Sequence, residues 1–211
     1  MLRRQLIGAA LGAGLLFAPF AGALAWESEV AALKQRWEQI NTQQAEGQRR
    51  TVLKTLAKEA EQLTEANANE AQPLIWYGII EASHARERSG LGALSSARTA
   101  RDALERAIEL DPQGGNGSAY VTLGALYDRA PGFPIGFGDS DTAERMFQRA
   151  LEIRPDGIDV NYYYAAFLED EGHQAEAREH ARRAVEGTVR EDRQASDEAL
   201  REEARALQSR L

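Results

Sequence analysis

The chain has 211 residues, with 25 Lys and Arg against 33 Asp and Glu, so its formal net charge is −8 at pH 7. This acidic balance argues against binding to nucleic acid or to an anionic membrane surface, because both select basic faces. The sequence contains no cysteine, which excludes disulfides, thiolate chemistry and zinc sites built on cysteine.

The N-terminus has the pattern of a secretory signal peptide. Basic residues precede an uncharged run over residues 5–26, which includes Ala-Leu-Ala at residues 23–25. We predict a signal peptide over residues 1–25, cleaved after Ala25, and a mature protein in the periplasm or outside the cell. The alternative is a retained N-terminal anchor, because the apolar run approaches the roughly 20 residues that span a bilayer. We expect no membrane span after cleavage.

The remaining sequence is predicted to be helical and repetitive. It is rich in Ala, Glu, Leu, Arg and Gln, and it lacks the alternation of β-branched residues that is typical of strands. Large and small residues recur most clearly at these positions: Tyr120, Leu123, Gly124 and Tyr127, then Ala143, Phe147, Ala150 and Pro155. This pattern resembles the tetratricopeptide repeat (TPR) family. The resemblance implies an all-α fold, a right-handed α-solenoid of helix-turn-helix repeats.

Further copies of the pattern divide the chain. We predict a single TPR domain over residues 26–211. Its predicted parts are a degenerate helix pair at 26–68, three clear repeats at 71–112, 117–155 and 158–187, and a capping helix at 195–211. A terminal helix of this kind covers the exposed apolar face of the last repeat in a solenoid.

Two of these repeats exceed the TPR period of about 34 residues. The excess falls between the first helix (A) and the second helix (B) of each repeat, in RERSGLGALSS at 86–96 and RAPGFPIGFGDSD at 129–141. Because equivalent turns of successive repeats stack along one rim, we expect the two insertions to lie side by side. In the second insertion Phe133, Ile135 and Phe137 alternate. We favour packing onto the protein's own helices, with a partner contact as the alternative.

No constellation of residues predicts an enzyme, a metal site or a cofactor. The segment GFGDSD follows a helix and lacks the lysine and glycine spacing of a phosphate loop. Its end is better explained as a helix cap, with Ser140 or Asp141 at the N-cap and Glu144 closing a capping box. The histidines lie too far apart in the sequence pattern to converge on one metal ion. We therefore predict a non-catalytic protein.

The TPR resemblance also indicates a binding surface. In TPR proteins the concave face is lined by residues of the A helices, and these positions give an apolar floor with a polar edge, as in many peptide grooves. The candidate groove residues are Ile75, Ile79, Val121, Ala125, Asp128, Tyr162 and Glu169, to which the insertion adds Phe133, Ile135 and Phe137.

The arrangement of leader, TPR repeats and irregular Gly-Pro-Phe insertion also resembles the periplasmic T component associated with tripartite TRAP transporters. That resemblance implies binding to a substrate-binding protein and a central channel for small apolar ligands, although this chain lacks a cysteine for lipidation. Our main hypothesis is a periplasmic adaptor that binds a protein or peptide partner of the cell envelope through the concave groove and the insertions. The alternatives are a carrier of a small hydrophobic ligand and a self-associating homo-oligomer.

Overall fold

The computed structural model describes residues 20–211, which form α-helices joined by turns, with two isolated β-bridges and no extended strand in this range. The helices are α1 (Phe20–Gln43), α2 (Glu46–Ala66), α3 (Ala71–Arg86), α4 (Gly90–Leu110), α5 (Ser118–Arg129), α6 (Ser140–Ile153), α7 (Ile158–Asp170), α8 (Gln174–Glu186) and α9 (Gln194–Arg210), with a 3-10 turn at Glu191–Arg193. The predicted signal peptide lies largely outside the described residues, and α1 runs through the predicted cleavage position. None of the helices within residues 20–211 has the length and hydropathy needed to cross a membrane.

Successive helices pack as pairs, which confirms the all-α solenoid expected from the repeats. The A helices are α3, α5 and α7, and their B partners are α4, α6 and α8. Close contact within a pair depends on glycine: a Cβ atom placed on Gly78 would lie 2.5 Å from Cγ of Leu104, and one on Gly124 would lie 2.7 Å from Cε1 of Phe147. The large side chain of each B helix therefore fills the space that glycine leaves on the A helix.

The core follows the array and has no single centre. One large cluster joins α1 to α5, and its fully buried members include Leu53, Ile80 and Leu104. Smaller clusters continue along the later repeats, where the ring of Phe147 lies 5.7 Å from those of Tyr164 and Phe167 between centroids. Each repeat thus buries its apolar face only against its neighbours, as in other solenoids.

The first insertion forms helix, in contrast to the turn that we expected. Helix α4 begins at Gly90, so residues 90–96 lengthen it at its N-terminal end. The physical reason is the apolar spacing of Leu94, Ala97, Ala100 and Leu104, which continues the helical period through the insertion and packs one side of the added turns. Leu94 is buried, as is Ser96 beside it.

The second insertion is a loop, and its helix cap differs from the prediction by one residue. Asp139 is the N-cap of α6, and its carboxylate accepts a hydrogen bond from the backbone N–H of Thr142 at 2.8 Å. Ser140 is already the first helical residue, and its hydroxyl donates to Glu171. Asp139 is favoured because its extended backbone lets the side chain reach the free N–H groups of the first turn.

The C-terminal segment, residues 188–211, closes the array on itself. Helix α9 packs on α7 and α8, and it also contacts α1 at the opposite end of the described chain. The backbone N–H of Ser196 donates to Oε1 of Glu38 at 2.7 Å, and Lys34 pairs with Asp192. The C-terminal segment consequently spans the inner side of the array from α7 to α1.

Candidate ligand cavity and rim

A cavity of ≈ 660 Å³ lies between the A helices and the C-terminal segment. Helices α3, α4 and α5 supply its apolar wall, which includes Ile79, Ala82, Leu94, Ala97, Val121, Ala125 and Leu126. Ser196 and Leu200 line it from the C-terminal segment. The cavity size falls within the roughly 300–1,000 Å³ of small-molecule sites, which are mostly apolar with a few placed polar groups.

The structure brings three of the predicted groove residues to this cavity. Ile79 and Val121 are buried in its wall, and Ala125 lies half-buried beside them. Ile75 lines an adjoining polar cavity of ≈ 400 Å³. Asp128 is half-buried, and this burial raises the pKa of its carboxyl against the opposing effect of Arg129.

The predicted groove residues of the third repeat contact the capping helix. The hydroxyl of Tyr162 donates to Glu203 at 2.6 Å, and burial, aided by that carboxylate, raises the pKa of Tyr162. Arg210 pairs with Glu169 at 2.7 Å. Both interactions hold α9 against α7, so these two side chains face the protein's own C-terminus.

The second insertion divides into an exposed part and a packed part. Phe133 is 93% exposed and Ile135 is 65% exposed. Phe137 instead packs edge-on against Tyr127, with ring centroids 5.4 Å apart, and the guanidinium carbon of Arg101 lies 4.7 Å from its ring centroid. Phe137 therefore packs onto the protein's own helices as expected, whereas Phe133 and Ile135 remain exposed.

Backbone contacts give the loop its shape. The N–H of Gly138 donates to the carbonyl of Pro131 at 2.9 Å, and the N–H of Asp139 donates to the carbonyl of Tyr127 at 3.0 Å. A Cβ atom on Gly138 would lie 2.0 Å from the carbonyl oxygen of Ala130. The glycine is needed because two backbone segments approach closely here.

The N-terminal part of α4, which contains residues 90–96 of the first insertion, lies beside the second insertion. Nη2 of Arg98 in α4 donates to the carbonyl oxygen of Ile135 at 2.9 Å. Leu91, at the start of α4, is 84% exposed, and both Leu91 and Ile135 line the cavity. We call Leu91, Phe133 and Ile135 the apolar rim. These are the large hydrophobic residues exposed among the described residues.

A buried ionic cluster adjoins the cavity, which Asp159, Arg190 and Arg193 line. Oδ1 of Asp159 accepts from Arg154 at 2.7 Å, and its Oδ2 lies 3.1 Å from Nη2 of Arg190. Asp197 accepts from the backbone and side chain of Arg190. Burial alone would raise the pKa of Asp159, but attraction to Arg190, Arg154 and Arg193 outweighs burial and lowers this pKa below its ordinary value.

Sequence reasoning missed this cluster. The one sequence signal for the cluster is that Asp159 occupies a position of the concave face on an A helix. Its partners Arg190 and Asp197 lie in the C-terminal segment, where a charged stretch normally indicates a solvated surface. Only the return of that segment onto the A helices makes the charges converge.

Arg193 stacks on two tryptophans at the boundary of the cavity. Its guanidinium carbon lies 4.5 Å from the ring centroid of Trp37 and 5.2 Å from that of Trp76. The two indole rings meet edge to face at 5.8 Å, and Nε1 of Trp37 donates to the hydroxyl of Ser83 at 2.8 Å. Within residues 20–211, no cluster of three or more acidic and histidine side chains is arranged to hold a metal ion.

Residues 29–177 match the family model for the TRAP transporter T-component. No curated protein matches the chain. Among solved structures, the chain is similar to the crystal structure of MamA, with 20% sequence identity, coverage of 79% of this chain and 87% of that chain, and a TM-score of 0.48. The family match confirms the resemblance to T components that the sequence predicted. Because it covers more than half of the chain, this helical repeat protein belongs to the TRAP transporter T-component family.

Proposed function

We propose that this protein is a periplasmic, non-catalytic accessory protein of a TRAP transporter that holds a small apolar ligand in its central cavity. The observation that carries the proposal is the ≈ 660 Å³ cavity between the A helices and the C-terminal segment. Family membership supports the association with a transporter. The predicted export signal supports a location in the periplasm.

The position of the C-terminal segment favours a small ligand over a peptide in the groove. A bound helical peptide would need space about 10–12 Å across. On this side of the array α9 already packs against α7 and occupies such space. Tyr162 and Glu169, which a peptide would contact in an open groove, bind Glu203 and Arg210. The remaining space is a partly open, mostly apolar cavity, which suits a small hydrophobic molecule.

Native mass spectrometry of protein isolated gently from the periplasm tests this proposal. We expect the natural protein to carry an additional non-covalent mass that organic solvent releases. Ala125→Phe places a ring in the cavity and should remove that mass. Ala206→Phe, on the exposed face of α9, is the matched control and should retain it. A clean ligand-free mass for the natural protein would overturn the proposal.

A second candidate function is docking of a protein of the transporter on the apolar rim. Large apolar side chains that stay exposed together often mark an interaction site. Phe133 is 93% exposed, and the other two residues of the apolar rim, Leu91 and Ile135, line the cavity. The resemblance to T components implies a substrate-binding protein as the partner. Docking there would place that partner beside the cavity opening.

Photo-crosslinking in intact cells tests the docking proposal. A photoreactive residue in place of Phe133 or Leu91 should give the same protein adduct, whereas one in place of the exposed Glu109 on α4 should give none. An adduct with a second copy of this chain would identify self-association instead. Equal adducts at all three positions would contradict specific docking.

A further inference from the structure

We propose that the ligand is an amphipathic monoanion and that Arg193 binds its anionic head group, with a carboxylate as the favoured chemistry. This inference rests on the proposed function and specifies the class of ligand. The observation that carries it is the environment of the buried Arg193 side chain.

Arg193 is buried without a counter-ion in contact. The residue is 9% exposed, and its Nε is buried without a hydrogen-bond partner. Among the residues that the structure describes, its guanidinium forms no ion pair and lies over the faces of Trp37 and Trp76. The carboxylates of Asp159, Asp197 and Glu38 lie close enough to favour its charge, but none of them pairs with it. A buried charge is costly unless it is paired, so this side chain is poised for an anion.

The neighbouring carboxylates of Asp159 and Asp197 are engaged elsewhere. Asp159 holds Arg154 and Arg190, and Asp197 holds Arg190. Glu38 uses one oxygen to accept from the backbone of Ser196, and its other oxygen has no partner. Burial and the adjacent Arg190 lower the pKa of Arg193 to about 10, so its guanidinium remains charged at neutral pH.

Arg193 lies where the two cavities meet. Together with Ile79, Ser118 and Arg190, it lines both the apolar cavity and the polar one. The polar cavity also contains Asp111, Lys34 paired with Asp192, and Arg154 paired with Asp159. An apolar chain in the larger cavity would thus place its end beside Arg193, the cation of this group that forms no ion pair among the described residues. The planar guanidinium matches a carboxylate with two parallel hydrogen bonds, which an alcohol does not reproduce.

Calorimetric titration with dodecanoate and with dodecanol, on protein stripped of co-purified ligand, tests the inference. The two probes share a chain and differ in the head group. Near neutral pH we expect the natural protein to bind dodecanoate at least about tenfold more tightly than dodecanol, as charge-assisted hydrogen bonds allow. Arg193→Gln should abolish this preference through weaker binding of dodecanoate.

Arg106→Gln is the matched control. Arg106 is exposed on α4, pairs with Glu109 and lines neither cavity. This variant should keep the preference for dodecanoate. If Arg193→Gln fails to fold, Arg193→Lys retains the charge without the paired donors and should show a reduced preference.

The possible failures separate the two proposals. Equal binding of dodecanoate and dodecanol by the natural protein would overturn the inference and leave the proposed function intact. A preference for dodecanoate that Arg193→Gln retains would overturn it as well. Absence of binding by either probe would count against the apolar ligand itself, and hence against the proposed function.

Discussion

The guanidinium carbon of Arg193 lies 4.5 Å from the centroid of the Trp37 ring, and this contact joins the C-terminal segment to the first helix of the array. The same guanidinium approaches Trp76 on the next A helix at 5.2 Å. The guanidinium and the two indole rings therefore join α1, α3 and the C-terminal segment at one point. The contact closes one side of the central cavity, because Trp37 and Arg193 both line it.

We predict that Trp37 and Arg193 are energetically coupled. A cation over an indole ring contributes about 0.5–2 kcal/mol, and more when it is desolvated. Urea unfolding of Trp37→Leu, Arg193→Met and the double variant should give a coupling energy of about 1 kcal/mol or more. Strict additivity of the two single effects would show that the stacking contributes nothing to stability.

Gly78→Ala should destabilise the fold by about 1–3 kcal/mol, because the added methyl group would meet Leu104 in the contact between α3 and α4. Gly47→Ala is the control, since nothing lies within 4 Å of a Cβ at this position in α2. That change should be neutral or slightly stabilising, as alanine favours helix over glycine. Equal midpoints of thermal unfolding for the two variants would argue against close packing at Gly78.

Asp159→Asn should reduce the free energy of unfolding at neutral pH by about 3–5 kcal/mol, because it leaves Arg154 and Arg190 partly unpaired in a buried site. Asp102→Asn provides the control. Asp102 pairs with Arg101 at an exposed position, so its loss should change stability by at most about 1 kcal/mol.

Asp159 should also make stability depend on pH. Its folded pKa is lowered, so its contribution is present above the unfolded pKa and is lost as pH falls through the folded value. We expect the natural protein to lose stability below about pH 4, near the ordinary pKa of aspartate. Denaturant titrations over this range should give a flatter pH profile for Asp159→Asn, and parallel profiles would contradict the role of this carboxylate.

The two phenylalanines of the second insertion should respond differently to the same change. Phe137→Ser removes contacts with Tyr127 and Arg101, and should lower stability by about 1–3 kcal/mol. Phe133→Ser should change it by less than about 0.5 kcal/mol, because the side chain is 93% exposed. Thermal unfolding of both variants measures the contrast, and a large loss for Phe133→Ser would mean that this residue packs against the protein.

The repeat pattern predicted helix pairs in which large and small residues recur at regular spacing. Gly78 against Leu104 and Gly124 against Phe147 are contacts between neighbouring helices, and they follow from large and small residues at regular spacing. The same reasoning missed the helical part of the first insertion. The longer interval between repeats predicted a longer turn between helices A and B, although Leu94 and Ala97 continue the helical period of α4.

By itself, the sequence determined an all-α repeat array, because helical period and the pairing of glycine with large side chains are local properties. Only the tertiary structure decided that the array closes on itself, that a cavity remains inside, and that Arg193 faces it. The hydrogen bond between Ser196 and Glu38 spans 158 residues. Such a contact depends on the summed curvature of successive repeats, and no single segment of sequence encodes that curvature.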